Sequence, residues 1–439
     1  MRLNLLLGLL PLVAVCAAPL ACSSSAASDD SAANNDDGGD GTDDGGDQTG
    51  DGGGSNPDGG STGPFTPGPY PGTYPQVPNN GGGVMANFKL VVIVPSNETA
   101  NGPLDFGSSF TSSNTFKAVA SEYGLGAPTS MTIAGPAMSA QEYSTSQVQS
   151  YITSAISGKV TPNANTIFLV FMPATAWIGY DQDGTEVSEK GCHANDDPNA
   201  GGVGGYHVPY NAGGGWAVVQ HCTGDPTHTD SQIISISASH EVIEAATDVD
   251  GQSGYSLPVV QQPSDWTSNS IWDDLLLTEI GDLCVNTEIN EGSFTYQRFW
   301  SNKAAANSAD PCIPAISTYF NTGTVGSDTN GWFKMTGTSM TIPVEGFSTA
   351  ALAPWIFASA TGTSPAQATV DGWTISVTGT GTTAGEQTIG NGDKGSVTIT
   401  APSGLQSGDF AGFELVSEAT TNVPGGESYH IWPFGVYVP

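Results

Sequence analysis

The sequence predicts an α/β domain followed by a small all-β sandwich domain, both preceded by a disordered tether. Three observations carry this. A low-complexity stretch gives way near Val84 to nearly continuous apolar runs. Those runs alternate with segments of helical spacing as far as residue 315, the pattern of an α/β domain. After Pro314 come short β-rich stretches separated by Gly, Thr and Asn, which is the texture of an antiparallel sandwich.

Taken in order, residues 1–22 read as a lipoprotein-type signal peptide. Arg2 supplies positive charge, and Leu5 to Val15 form an apolar run of h-region length. That run is too short to span a bilayer comfortably. Leu20-Ala21-Cys22 resembles a bacterial lipobox, with Pro19 where the pattern prefers Leu, so Cys22 is the expected lipidation site. Plain secretion after cleavage near Ala21 is the alternative. Residues 23–83 are rich in Asp, Gly and Ser, then Pro, and hold no Lys or Arg. Such a composition cannot bury a core, so a disordered tether is expected.

The α/β domain is expected over 84–315. Phe88 to Val94 and Thr166 to Phe171 have the unbroken apolar character of buried strands. Phe116 to Tyr123 looks helical and ends at Gly124. Ser144 to Ile156 is a second helix, with Val148, Tyr151, Ile152 and Ile156 on one face. Residues 178–230 read as a Gly-rich loop insert. Ser231 to Asp248 is a third helix, and Ile271 to Cys284 a further apolar stretch. In the expected sandwich, 316–439, strand-like stretches include Trp332 to Pro343, Trp373 to Thr380, Gly395 to Thr400, Phe413 to Ser417 and Tyr429 to Val438. The aromatic run Tyr429 to Phe434 reads as core first and as a ligand platform second.

Composition excludes some partners. The 439 residues carry 9 Lys+Arg against 43 Asp+Glu, a formal net charge of -34. So acidic a surface repels nucleic acid and anionic lipid. Membrane contact is therefore expected only through the lipid anchor, with the protein a monomer at the outer membrane or cell surface, or else secreted. Four cysteines lie beyond the signal: Cys192, Cys222, Cys284 and Cys312. In an exported chain they suggest two disulfides, and sequential pairing closes the shorter loops.

The chemistry concentrates at His240-Glu241-Val242-Ile243-Glu244. On a helix His240 and Glu244 lie one turn apart on a shared face, as two metal ligands require. Glu241 falls where the general base stands in H-E-x-x-H proteases, with a carboxylate replacing the second histidine. A catalytic zinc site usually needs a third protein ligand. Asp248 continues the same face but lies about 12 Å further along the helix, a distance suited to a helix-end or supporting role. Glu279 and Asp282 are spaced to share a helix face. His207, in Gly204-Gly205-Tyr206-His207, sits in backbone free to approach an ion. A set of His207, His240 and Glu244 suits zinc; His240, Glu244 and Glu279 would take Mn or Ca as readily. One divalent metal is expected.

The motif helix with its downstream acidic segment Glu279-Ile280-Gly281-Asp282 resembles the gluzincin metalloproteases, a zincin-like fold. That resemblance implies Glu279 as third ligand and Asp282 as the partner orienting His240, or these two roles exchanged. Gly205-Tyr206-His207, Cys222, Ser239 to Asp248 and Glu279 to Cys284 together also resemble uncharacterised exported bacterial lipoproteins. More distantly, they are similar to the plant phosphate-induced (EXORDIUM-like) proteins, over residues 88–315. No G-x-S-x-G or G-x-x-x-x-G-K-[ST] pattern occurs, which sets aside serine-hydrolase and P-loop chemistry. Glu241 with Asp282 could also form the carboxylate pair of a glycoside hydrolase. The expected function is an exported metal-dependent hydrolase, a peptidase, with Glu241 activating a metal-bound water. The alternative is a non-catalytic surface protein with a structural or vestigial metal site and a glycan- or protein-binding β-domain.

Overall fold

A five-stranded mixed sheet organises the first half of the chain. Its order is Thr129–Gly135, Lys89–Pro95, Thr166–Phe171, Gly215–Val219, Gly205–Pro209. The first four strands run parallel and the last antiparallel. In this computed structural model the described residues are 65–439, except 69, 71, 73, 101, 179–203, 223–227, 252, 259–267, 277, 286, 360–366 and 371. The expected signal peptide with Cys22, residues 23–64 of the expected tether, and Cys192 lie outside them.

Parallel strands need crossovers, and the helices expected from periodicity supply them. Helices Pro103–Ser112 and Asn114–Tyr123 join the first strand to the second, and Thr145–Ile156 lies between the second and third. Ser113 caps the second helix by accepting from Phe116 N, and Gly124 closes it in the left-handed region. Ser144 and Gln147 form a capping box on the third. The insert at 178–230, expected as loop, contributes two strands. Trp216 to Val219 is an apolar run too short to stand out in Gly-rich surroundings. Gly213 and Gly214, both at positive φ, make the turn that pairs it with 205–209.

Alternation gives the sheet two buried faces. Val91, Ile93, Phe168, Val170 and Trp216 pack with Ile152 on one side. Leu90, Val92, Leu169 and Ala217 pack with Phe106, Phe110 and Val242 on the other.

The second half is two further sheets. One is ordered Phe320–Thr324, Ser339–Ser348, Lys394–Thr400, Trp373–Thr378, Gln367–Val370. The other is ordered Trp332–Lys334, Tyr429–Tyr437, Phe410–Glu418, Trp355–Ser359, Glu386–Ile389, Gly381–Thr383. Trp355 Nε1 donates to Thr322 Oγ1 at 2.8 Å, and Trp432 Nε1 to Thr324 Oγ1 at 3.2 Å, so the two sheets pack against each other. The aromatic run from Tyr429 is a strand whose His430, Trp432 and Phe434 are buried, which makes it core.

The two halves share one core. Trp272, Trp300 and Trp432 form an aromatic seam between them, joined by Tyr74. Tyr74 and Val77 fall within the expected tether, yet both are buried, and Tyr74 Oη lies 2.7 Å from Tyr319 Oη. The described part of 65–83 is thus packed strap, not free tether. Its sparse aromatics, masked by Pro and Gly in the sequence, carry the burial. The expected Cys284–Cys312 disulfide is present. Cys222 is also disulfide-bonded.

A buried ion cluster crosses the same seam. Arg298 donates to Glu427 at 2.7 Å, to Asp310, and to the carbonyls of Pro314 and Cys312. His430, 3.7 Å from Glu427, is pushed down to about 3 by burial and then by the Arg298 charge. A depressed histidine favours the neutral form in the fold. Its contribution is complete above the ordinary value of 6.5 and is lost as pH falls below it. Glu427, pushed up to about 7 by burial, shifts stability the opposite way but is common to wild type and variant. Urea titrations of wild type and His430→Phe are therefore expected to diverge below pH 6.5, with the variant ahead by about 2 kcal/mol near pH 5. Parallel pH curves would show that His430 takes up its proton in the fold.

Candidate metal centre

The helix Asp230–Thr247 carries the motif. Thr229 and Gln232 form its capping box, and its last seven residues, Glu241 to Thr247, are all buried. A helix buried all round needs small residues where other backbone comes close. Ser235 Oγ donates to Thr295 O at 2.7 Å, and Gln297 N donates to Ser239 Oγ at 3.0 Å. These two serines hold the strand Phe294–Gln297 along the helix. That strand delivers Gln297 to His240, a contact nothing in the sequence had signalled.

Each histidine has one nitrogen assigned by its neighbours. Gln297 Nε2 donates to Gly281 O at 2.6 Å, which turns its amide oxygen toward His240 Nδ1 at 3.0 Å. An amide oxygen only accepts, so Nδ1 carries the proton. His240 Nε2 then faces Glu244 Oε2 at 2.9 Å and Asp282 Oδ1 at 3.6 Å. His207 follows the same logic. Its Nε2 lies 3.0 Å from the Asp248 carbonyl, which also only accepts. Its Nδ1 faces Glu241 Oε2 at 3.2 Å and Glu244 Oε2 at 3.7 Å. Fixing one ring nitrogen by an outer partner is how metal-binding histidines are oriented.

Glu244 is the hub. Its Oε1 accepts from Gly281 N at 3.1 Å and Asp282 N at 3.2 Å, leaving Oε2 for both histidines. A Cβ at Gly281 would stand 2.5 Å from Glu244 Oε1, so only glycine lets this turn close on the carboxylate. Burial alone would raise the Glu244 carboxyl, but the facing His240 outweighs it and holds the group below its ordinary range. Burial would likewise lower His240, and Glu244 reverses that, raising it well above the usual imidazole value. Burial, reinforced by the Glu244 charge, pushes both Glu279 and Asp282 well up. Every described ion pair of Glu241, Glu244, Glu279 and Asp282 is with a histidine. Carboxyl groups gathered in this way, among the described residues with only histidines as ion-pair partners, suit a bound cation.

The expected site residues all meet here, in changed positions. His207, Glu241 and Glu244 form one group able to hold an ion; His240, Glu244 and Asp282 form another. Asp282 stands on the ligand side of His240, and Gln297 fills the orienting role the gluzincin likeness assigned to Asp282. Glu279 belongs to neither group and faces His207 Nε2 at 3.6 Å. The expected shared helix face fails because Glu279 pairs with Ser256 in an isolated bridge, and the 3-10 turn starts only at Asp282. Asp248 acts at the helix end through its carbonyl. Glu241 is buried, with one oxygen on His207.

No family model, curated protein or solved structure matches the chain. The centre is accordingly read from its own donors. Imidazole with carboxylate oxygens suits zinc or manganese. Within reach of solvent, such an ion polarises a carbonyl and lowers the pKa of bound water.

Proposed function

We propose that the chain is an exported metal-dependent hydrolase, anchored through Cys22 and acting on peptide or another extracellular substrate. Its first half would be a zincin-like domain and its second an accessory β-sandwich. The observation that supports this best is the pair of oriented histidines, each turning its remaining nitrogen toward buried carboxylates that, among the described residues, have no Lys or Arg partner. A divalent ion would supply Lewis acidity and an acidified water. His240 and Asp282, with side chains 17% and 12% exposed, keep one edge of the centre within reach of solvent. At that edge His240 would hold the ion, and Asp282 would complete its coordination.

One observation favours the second reading, a structural metal in a non-catalytic surface protein. Glu241 is buried and held on His207, deeper than a base serving an exposed water needs to be. The two readings separate experimentally. The zinc-loaded chain is expected to cleave members of a mixed peptide library, and chelation to stop it. A loaded chain that cleaves nothing, and loses thermal stability on chelation, supports the structural metal instead.

A further inference from the structure

Resting on the metal-centre reading above, we infer that the centre holds two divalent cations, with Glu244 shared between them. The two histidines fall in separate groups whose only common member is Glu244, and both groups use its Oε2. Each imidazole has one nitrogen spent on an acceptor, the Asp248 carbonyl or the Gln297 amide, so each has a single ligand atom left. Those atoms point to different carboxylates: His207 Nδ1 to Glu241, and His240 Nε2 to Asp282. One ion placed between His240 and Asp282 leaves His207 and Glu241 without a cation. A carboxylate oxygen shared by two ions about 3.5–4 Å apart is the usual way such pairs are bridged.

Two further observations agree. Glu279, 9% exposed, turns Oε1 toward this cluster with no hydrogen-bond partner among the described residues. It stands 3.6 Å from His207 Nε2, a nitrogen already engaged by Asp248. Glu241, Glu244 and Glu279 are buried and Asp282 is half-buried, so four carboxyl groups face two imidazoles. One zinc ion usually takes about three or four protein ligands, fewer than the six side chains gathered here.

The ligand chemistry is a pair of borderline cations, zinc or manganese, in one His- and carboxylate-lined chamber. The deeper position, at His207 and Glu241, would organise the centre. The shallower, at His240 and Asp282, would meet substrate.

The test is metal stoichiometry of the full chain after dialysis against zinc, by elemental analysis, beside His207→Gln and His240→Gln. Circular dichroism checks that each variant is folded. Two zinc ions in the wild type and one in each variant are expected. One ion in the wild type, retained in His207→Gln and lost in His240→Gln, overturns the second position but leaves the metal centre standing. No zinc in any of the three overturns both. Manganese provides a second readout that needs no variant: the two-ion centre gives the multiline resonance spectrum of a coupled pair, and a single ion the six-line spectrum of isolated manganese.

Discussion

Arg298→Ala is expected to cost about 3–5 kcal/mol of folding stability. The guanidinium is fully buried and holds Asp310 and Glu427 on either side, with two carbonyls completing its donors. Removing it leaves two interior carboxylates without their cation, held only by the N–H groups of Cys312, Ile316 and Glu288 and by the neighbouring His430. Most of the loss is that orphaned charge, not the intrinsic value of the pair. Replacing Arg298, Asp310 and Glu427 together with apolar residues of similar volume should therefore recover much of the stability. Urea unfolding of both variants checks this. A loss under about 1 kcal/mol for Arg298→Ala would place the group in the range of a solvent-exposed pair. Because the seam of Tyr74, Trp272, Trp300 and Trp432 still joins the two halves, the variant should unfold in one step. Two separated transitions would mean that the halves keep separate cores.

Glu244→Gln is expected to abolish metal binding, whereas Glu241→Gln weakens only the ion beside His207. The difference follows from position. Glu244 Oε2 faces both histidines, and its other oxygen accepts from Gly281 and Asp282. An amide nitrogen placed there would either face the histidines or oppose those two N–H groups. Among the described residues, Glu241 has its ion pair with His207 alone. Changes around a metal ligand typically cost about 10–100-fold in affinity, and loss of a shared ligand should exceed that. Zinc competition titrations on both variants measure it. If Glu241→Gln keeps full metal content yet loses hydrolysis by about 10²–10⁴-fold, Glu241 is the proton acceptor that the H-E-x-x-E spacing suggests.

The sequence made the helical half of this centre legible because helix geometry is local. His240 and Glu244 at i, i+4 face together whatever surrounds them, and the capped helix follows from its own residues. The parallel strands were legible for a similar reason, since Thr166–Phe171 is buried on both faces and reads as one apolar run. What crosses the sheet was harder to see. His207 reaches the motif only because Gly205–Pro209 adds itself antiparallel to the sheet edge. Gln297 reaches His240 only because Ser235 and Ser239 draw a strand along the helix. Neither contact has a period or spacing to announce it. The placing of Glu279 beside His240 rests on the expectation that Glu279 and Asp282 share a helix face. The helix that begins at Ile271 ends at Leu276, Glu279 lies in a bridge to Ser256, and its carboxyl faces His207. Tyr74 was overlooked because a few aromatics in a Pro- and Gly-rich segment do not alter its average composition.

Crystals of the full chain soaked in zinc, with diffraction recorded on either side of the zinc absorption edge, test the central claim most directly. The account predicts an anomalous maximum about 2.0–2.2 Å from His240 Nε2 and Glu244 Oε2, and a second beside His207 Nδ1. Absence of any maximum within the cluster, with both histidines still paired to their carboxylates, would contradict it.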